Sequence, residues 1–146
     1  MKKTLEIEPF FVPIKLVSEA NNRDGWWLKA KRKNSINNAL ALYLNPIQEF
    51  PLPCDITLTR QGPRDLDYVN LVYAFKGIQD YMAYHIITKS DHLQVSEFRT
   101  HNKKCAIGKY DSDKRLNFNF MQEKGPYGFW VLITKFEEYP CTENKT

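Results

Sequence analysis

The sequence predicts a single α/β domain of the α+β kind, in which a small mixed sheet packs against two main helices. A length of 146 residues fits one domain and argues against two. A hydrophobic fraction of 42% and an aromatic fraction of 14% supply enough apolar side chains for a folded core. Segments with strand periodicity alternate with segments of helical periodicity, which is the order expected when helices cover a sheet.

The first half of the chain predicts one strand and one helix. Residues 5–16 have the composition of a strand but contain Pro9 and Pro13, so we expect an interrupted edge strand. Residues 24–44 have helical spacing, and Pro46 ends this helix because the residue before proline resists the helical conformation. The apolar stripe expected on this helix consists of Trp27, Ala30, Ile36, Ala39, Leu40 and Tyr43.

The second half predicts a strand, a helix and two further strands. Residues 54–61 alternate apolar and polar side chains, and residues 67–85 have the spacing of an amphipathic helix. Residues 93–95 have the composition of a short strand. Residues 116–122 and 129–136 are strands separated by a Gly-Pro turn, so we expect them to form an antiparallel hairpin.

These elements place the domain at residues 1–136 and leave 137–146 as a polar C-terminal tail. No apolar run is long enough to cross a bilayer, and no apolar signal core follows the basic N-terminus, so we expect a cytoplasmic protein without a membrane partner. The three cysteines are odd in number and far apart, which favours reduced thiols over disulfides or a zinc site. The three histidines lack metal-ligand spacing, and we expect them on the surface or in loops.

A first acidic loop lies at residues 64–71, where a strand ends and a helix begins. In an extended stretch Asp65 and Asp67 point the same way and can reach one cation. Magnesium prefers hard oxygen ligands and keeps several waters, so two or three carboxylates suffice. Alternatively, one aspartate caps the helix, because Asp is a preferred N-cap residue, and the local pattern alone favours capping.

A second acidic loop, residues 110–116, contains Asp111 and Asp113 just before a predicted strand. By itself this loop is an ordinary solvated turn, because Asp and Ser are common turn residues. Two acidic loops beside core elements together indicate a metal-dependent phosphodiester hydrolase, in which metal ions activate water and neutralise the scissile phosphate.

At these positions the chain resembles the RusA-like Holliday junction resolvases of phages and prophages. Residues 64–71 and 74–80 are similar to the family's Leu-Asp-x-Asp-Asn-Leu and Leu-Lys-x-x-x-Asp segments. Residues 111–116 resemble its Asp-Asp-Asp-Pro-Arg-Ile loop, and residues 122–125 match a Gln-Glu-Lys-Gly strand ending. Residues 18–23, followed by a tryptophan and a basic run, resemble its opening loop and helix.

The resemblance implies a homodimer that binds branched DNA and resolves Holliday junctions in recombination and repair, with Mg²⁺ or Mn²⁺ as cofactor. It implies catalytic roles for Asp67 and Asp113, and for Lys76 a position facing the phosphate. Asn70 and Asp80 match the motif's asparagine and helix aspartate. The metal ligands expected on this basis are Asp65, Asp67, Asp111 and Asp113.

Two positions depart from the motif. Val69 stands where the motif has its second aspartate, and Ser112 replaces the middle acid of the distal loop. Valine cannot bind a hard cation, and Asp65 with Asp67 offers a substitute pair only in a shifted register. Three hypotheses follow: an active junction endonuclease, a catalytically impaired DNA-binding relative of phage or mobile-element origin, and an interaction protein that retains only the fold.

Basic residues are concentrated around the start of the first predicted helix. Residues 23–33 contain five basic residues and one acidic residue, a surplus of four that equals the net charge of the whole chain. Such a run either follows DNA phosphates or forms a solvated face. We expect the neighbouring Trp26 and Trp27 to be core residues. The predicted DNA contacts are Asn21, Asn22, Arg23, Lys29, Lys31, Arg32, Lys33, Arg64, Asn70 and Lys76.

Overall fold

The computed structural model describes residues 7–18, 23–91 and 110–135. The fold class predicted from the sequence is confirmed, because a mixed four-stranded sheet and two helices form one small α+β domain. A short 3₁₀ turn at Tyr110–Ser112 precedes the third strand. In chain order the helices and strands are β1 (Phe10–Val12), α1 (Trp26–Leu44), β2 (Cys54–Gly62), α2 (Tyr68–Ser90), β3 (Leu116–Lys124) and β4 (Gly128–Lys135).

The strands lie in the order β1-β4-β2-β3, with β2 parallel to β3 and antiparallel to β4. The predicted antiparallel hairpin of the last two strands is therefore wrong, because β2 lies between them. Where the β3–β4 connection crosses the end of β2, the amide of Gly125 donates to the carbonyl of Gly62 at 3.2 Å. A short turn in the sequence does not show whether the two strands that it joins are neighbours in the sheet. Here β3 and β4 pair with opposite sides of β2. The predicted edge strand is confirmed as β1, which lies at one edge of the sheet and, among the described strands, pairs with β4 alone.

The core lies on one face of the sheet. Burial alternates along β2, where Ile56 and Leu58 are fully buried, as the period of two in the sequence predicts. Phe129 of β4 lies on the same face and packs edge-on against Phe75 of α2, with ring centroids 6.0 Å apart. Removing these apolar surfaces from water is the main stabilising contribution to such a fold. The largest fully buried side chains of the helices are Leu40, Leu44, Phe75, Ile78, Met82, Ile86 and Ile87.

Helix α2 is the crossover that a parallel strand pair requires between β2 and β3. The predicted helix is confirmed, and it continues to Ser90, five residues beyond its predicted end. His85 lies within α2 and is partly buried, and not at the surface or in a loop as predicted. At a rise of 1.5 Å per residue, the 23 residues of α2 span about 34 Å. The start and end of α2 therefore lie at opposite ends of the β2–β3 pair.

Helix α1 contacts the core only through its C-terminal half. Its fully buried residues are Leu40 and Leu44, whereas Trp26 is 81% exposed and Trp27 is 59% exposed. The prediction that both tryptophans belong to the core is wrong, and the apolar stripe does not extend back to Trp27 or Ala30. These residues are exposed because the first half of α1 borders a cleft and does not pack on the sheet.

Several predictions fall outside the described residues: the strand at 93–95, the tail at 137–146 and the DNA contacts Asn21 and Asn22. Within the described ranges, neither helix has the length and apolarity needed to span a membrane. Cys54 is a buried free thiol, and burial raises its pKa to about 12, so it is protonated at neutral pH.

Candidate nucleic-acid interface

The first acidic loop forms the N-terminus of α2. Asp67 is the N-cap residue, and its Oδ1 atom accepts a hydrogen bond from the amide of Asn70 at 2.9 Å. This confirms the capping interpretation for Asp67, and the negative charge is further favoured by the helix dipole. Both Asp67 and Asp65 remain exposed to solvent.

Gln122 of β3 holds this loop in place. Its Oε1 atom accepts from the amide of Leu66 at 2.9 Å, and its Nε2 atom donates to the Leu66 carbonyl at 2.6 Å. On the other side of the loop, the hydroxyl of Ser18 donates to Oδ1 of Asn70 at 3.3 Å. Three of the segments that carry the family resemblance therefore meet at the start of α2. The sequence marked Gln122 only as a motif match and did not reveal this positioning role.

The second acidic loop is closed by Arg115. The Nε and Nη2 atoms of Arg115 donate to Asp113 at 3.1 and 3.0 Å, and its two terminal nitrogens donate to Asp91 at 2.9 and 3.0 Å. Hydrogen bonding from the Arg115 side chain holds the pKa of Asp113 below its ordinary value, and the two carboxylates raise the pKa of Arg115. The guanidinium of Arg115 thus forms ion pairs with both carboxylates. The side chain of Asp111 lies outside the described residues; its backbone belongs to the 3₁₀ turn.

The two acidic loops are not brought together within one chain. Asp67 and Asp91 are the N-cap and C-cap of α2, and 24 residues at a rise of 1.5 Å separate them by about 36 Å. Because Asp113 shares Arg115 with Asp91, it lies on the order of 30 Å from Asp67. Across residues 7–18, 23–91 and 110–135, no cluster of three or more His, Cys, Asp or Glu side chains is arranged to hold a metal ion. The acidic residues described in one chain therefore do not fit the expected magnesium centre.

Lys76 lies on the solvent side of α2. Its Nζ atom forms an ion pair with Oδ1 of Asp80 at 3.0 Å, one helical turn away, and its side chain is 52% exposed. The two residues that match the motif's helix lysine and aspartate thus contact each other. Val69, at the expected second aspartate, is 62% exposed in the first turn of α2.

A cleft lies between α1, α2 and residues 15–17. We call it the basic cleft; its volume is about 230 Å³. Its charged lining residues are all cationic, and no acidic side chain from the described part of the chain lines it. Its floor is formed by apolar residues that include Leu16, Ile36 and Ile78. The cations that line it are Lys15, Lys29, Arg32 and Lys33.

The basic cleft contains only part of the predicted DNA-binding set. Lys29, Arg32 and Lys33 line it, and Lys15 joins them from a segment that the sequence did not indicate. Lys31 does not line the cleft, because it follows Lys29 by two residues and is therefore rotated by about 200° around the helix axis. Arg32 is also held by Asp24, with Nη1 donating to Oδ2 at 2.8 Å.

The remaining predicted contacts lie beside the cleft or away from it. Arg23 and Arg64 are exposed and do not line the cleft. Asn70 is one helical turn before the cleft residues Tyr73 and Ala74, so the cleft and the loop capped by Asp67 are neighbours. Lys76 is not a lining residue, although the adjacent Gly77 is.

Arg60 is a further residue that the sequence analysis missed. It is only 5% exposed, and its Nη1 atom donates to the carbonyl of Arg64 at 2.8 Å, which fixes the chain leaving β2. Its guanidinium covers Gly62, where an added Cβ atom would lie 2.7 Å from Nη2. The signal was present, because residue 60 continues the alternation that buries Ile56 and Leu58.

Comparison of the chain with protein-family models, curated proteins and solved structures found no match in any of the three. The resemblance to RusA-like proteins therefore depends on the sequence motifs alone.

Proposed function

We propose that this protein binds branched DNA through the basic cleft, as a RusA-like protein whose single chain does not form a metal centre. The observation that carries the proposal is the cleft itself, in which four cations from two segments surround an apolar floor and no acidic side chain of the described residues is part of the lining. Clustered lysine and arginine side chains are the electrostatic signature of a site for phosphates.

The charge distribution of α1 supports this proposal. The helix carries four basic residues and no acidic residue, although acidic residues make up 17 of the 146 residues of the chain. Three of these four cations face the cleft. A helix with cations on one side can follow a phosphate backbone, and each phosphate neutralised releases counterions. Binding should therefore weaken steeply as salt is raised.

The position of the cleft supports a link to branched DNA. It adjoins the start of α2, where the loop capped by Asp67, the segment ending at Ser18 and Gln122 meet. These segments carry three of the motifs in which the chain resembles junction resolvases. DNA in the basic cleft would therefore lie beside the part of the chain that most resembles that family.

Magnesium-dependent junction cleavage is the second candidate function. The observation in its favour is that Asp65 and Asp67 are exposed next to the basic cleft. Because Asp113 lies on the order of 30 Å away along α2, a site using both loops requires two chains, as in the homodimer that the resemblance implies. This candidate predicts cleavage as well as binding.

The proposal is tested by titrating a labelled synthetic four-way junction with the wild-type protein and two charge-reversed variants. Lys29→Glu/Lys33→Glu reverses two cleft cations. Lys114→Glu/Lys135→Glu makes the same change in net charge at two exposed lysines outside the cleft. Chelator is present throughout, so that metal plays no part in the binding measured.

We expect the cleft variant to lose at least about tenfold in junction affinity and to reduce the salt slope by about two, one unit for each lost phosphate contact. The matched variant should stay within about threefold of wild type, because distant charges are screened by salt. Equal losses in both variants, or no junction binding by the wild-type protein, would overturn the proposal.

A further inference from the structure

We infer that the basic cleft accepts one unpaired nucleobase, while Lys29 and Lys33 at its rim contact the flanking phosphates. This inference rests on the proposed DNA binding and adds the part of the DNA that is recognised. It concerns the apolar interior of the cleft, which the phosphate contacts alone do not use. Bases in duplex DNA are stacked and paired, so the cleft would select unpaired nucleotides, such as those of single strands or of single-stranded segments in branched DNA.

The size and lining of the cleft suit a single flat ring. At about 230 Å³ it is smaller than the range of about 300–1,000 Å³ that holds drug-sized ligands. Ile78 is 2% exposed and Leu16 is 5% exposed, so the floor is firmly packed into the core. An apolar floor does not attract a bare phosphate, whereas it can hold the face of a base whose phosphates remain at the charged rim.

Gly77 keeps the cleft open. It lies in the middle of α2, where glycine lowers helix stability relative to alanine. A Cβ atom at position 77 would meet nothing within 4 Å, so no local crowding requires a glycine there. The space that a side chain would occupy belongs to the cleft, which Gly77 lines.

Aromatic side chains are placed to stack on bases. Tyr73 lines the cleft and is 52% exposed. Trp26, which is 81% exposed, precedes the cleft residues Lys29 and Ala30 by one turn on the same side of α1. Exposed aromatic rings interleaved with cations are the combination by which proteins bind single strands, with bases stacking on rings and phosphates meeting lysines.

The inference is tested with three fluorescent probes of equal length: oligothymidylate, an abasic strand with the same phosphates, and a blunt duplex. The wild-type protein should bind oligothymidylate about tenfold more tightly than the abasic strand, since the stacking of one base has an effect of about this order. Gly77→Leu fills the cleft without changing charge and should abolish this preference, and Gly77→Ala should reduce it less. Ser35→Leu adds the same side chain at an exposed position of α1 outside the cleft and should leave the preference unchanged.

Tyr73→Ala is the second variant, because it removes a stacking surface instead of filling space. It should lower oligothymidylate affinity about tenfold and leave abasic-strand affinity unchanged. Equal wild-type affinity for base-bearing and abasic strands overturns the inference, and so does an intact preference in Gly77→Leu. If the base preference is absent but junction binding is still lost in Lys29→Glu/Lys33→Glu, the nucleobase inference fails and the proposed DNA binding stands. If the wild-type protein binds none of the probes and does not bind the junction, both the inference and the proposed function are overturned.

Discussion

The two ends of α2 carry similar acidic loops that the fold uses in different ways. At the start of the helix, Asp67 caps the first turn beside the basic cleft, and Asp65 is exposed. At the other end, Asp91 and Asp113 are both held by Arg115. Both loops contain the Asp-x-Asp pattern. In the second loop an aspartate binds Arg115, whereas the first loop borders the basic cleft. The surroundings of Asp67 and Asp113, and not the local pattern that they share, therefore decide which contacts each of them makes.

The largest effect on stability should come from replacing Arg115, which binds the acidic residues at the C-terminal end of α2. Arg115→Met would remove the guanidinium that binds both Asp91 and Asp113, and with it a contact between the end of α2 and the start of β3. Hydrogen bonds to charged groups stabilise more than neutral ones, but the Arg115 side chain is 40% exposed, so solvent reduces the effect. We expect the free energy of unfolding in urea to fall by about 2 kcal/mol.

The control for this variant is Arg64→Met, which removes an exposed arginine near the other end of α2 and should change stability by less than about 0.5 kcal/mol. The dependence of the free energy of unfolding on pH in the acid range is a second measurement. Because the pKa of Asp113 is lowered in the folded state, its contribution is present above the ordinary value of 3.8 and is lost as pH falls below it. The variant should lose this acid dependence. Equal stability of Arg115→Met and wild type would show that the Arg115 network is not stabilising.

At the other end of α2, a smaller effect is expected from removing the cap. Asp67→Ala removes the hydrogen bond from the Asn70 amide to the capping carboxylate and should lower the free energy of unfolding by about 1 kcal/mol. Asp67→Asn can still cap and should retain most of this stability. Asp65→Ala, two residues earlier, should change stability by less than about 0.5 kcal/mol. Thermal unfolding of the three variants separates a capping role from a general effect of negative charge, which predicts equal losses for Asp65→Ala and Asp67→Ala.

The smallest effect concerns His85, between the two ends of α2. Burial, and to a lesser extent the charge of Lys89, lower the pKa of His85 in the folded protein. The folded state therefore binds this proton less readily, and stability should fall as pH drops below about 6.5, towards the lower folded pKa. His85→Leu should flatten that decline in urea unfolding curves recorded on either side of pH 6.5. An unchanged pH slope in the variant would contradict this assignment.

Local patterns predicted the elements but not their neighbours. The alternation of Ile56 and Leu58 identified β2, because a strand with one buried face has a period of two whatever its partners are. The order of the sheet depends on contacts distant in sequence, so the turn after β3 could not reveal that β2 separates β3 from β4. Trp26 and Trp27 were misplaced for a related reason, since nothing local shows that the start of α1 faces a cleft.

The same limit applies to the candidate site. Three cleft cations were identified in the sequence because Lys29, Arg32 and Lys33 form one charge run, whereas Lys15 comes from another segment. Nothing in the sequence marked Gly77 as a cleft residue, because the space beside it exists only in the folded chain. The separation of the acidic loops likewise depends on the length of α2 and on the parallel register of β2 and β3.

The most direct test of the central claim is incubation of a labelled four-way junction with Mg²⁺ or Mn²⁺, comparing the wild-type protein with Val69→Asp, Asp67→Asn and Asp113→Asn. If the proposed function is right, the wild-type protein forms a salt-sensitive complex with an intact junction. Val69→Asp should then not introduce cleavage, because restoring one acid does not bring Asp113 any closer to Asp67. Metal-dependent strand cleavage by the wild-type protein that is lost in both Asp67→Asn and Asp113→Asn would contradict the proposed function.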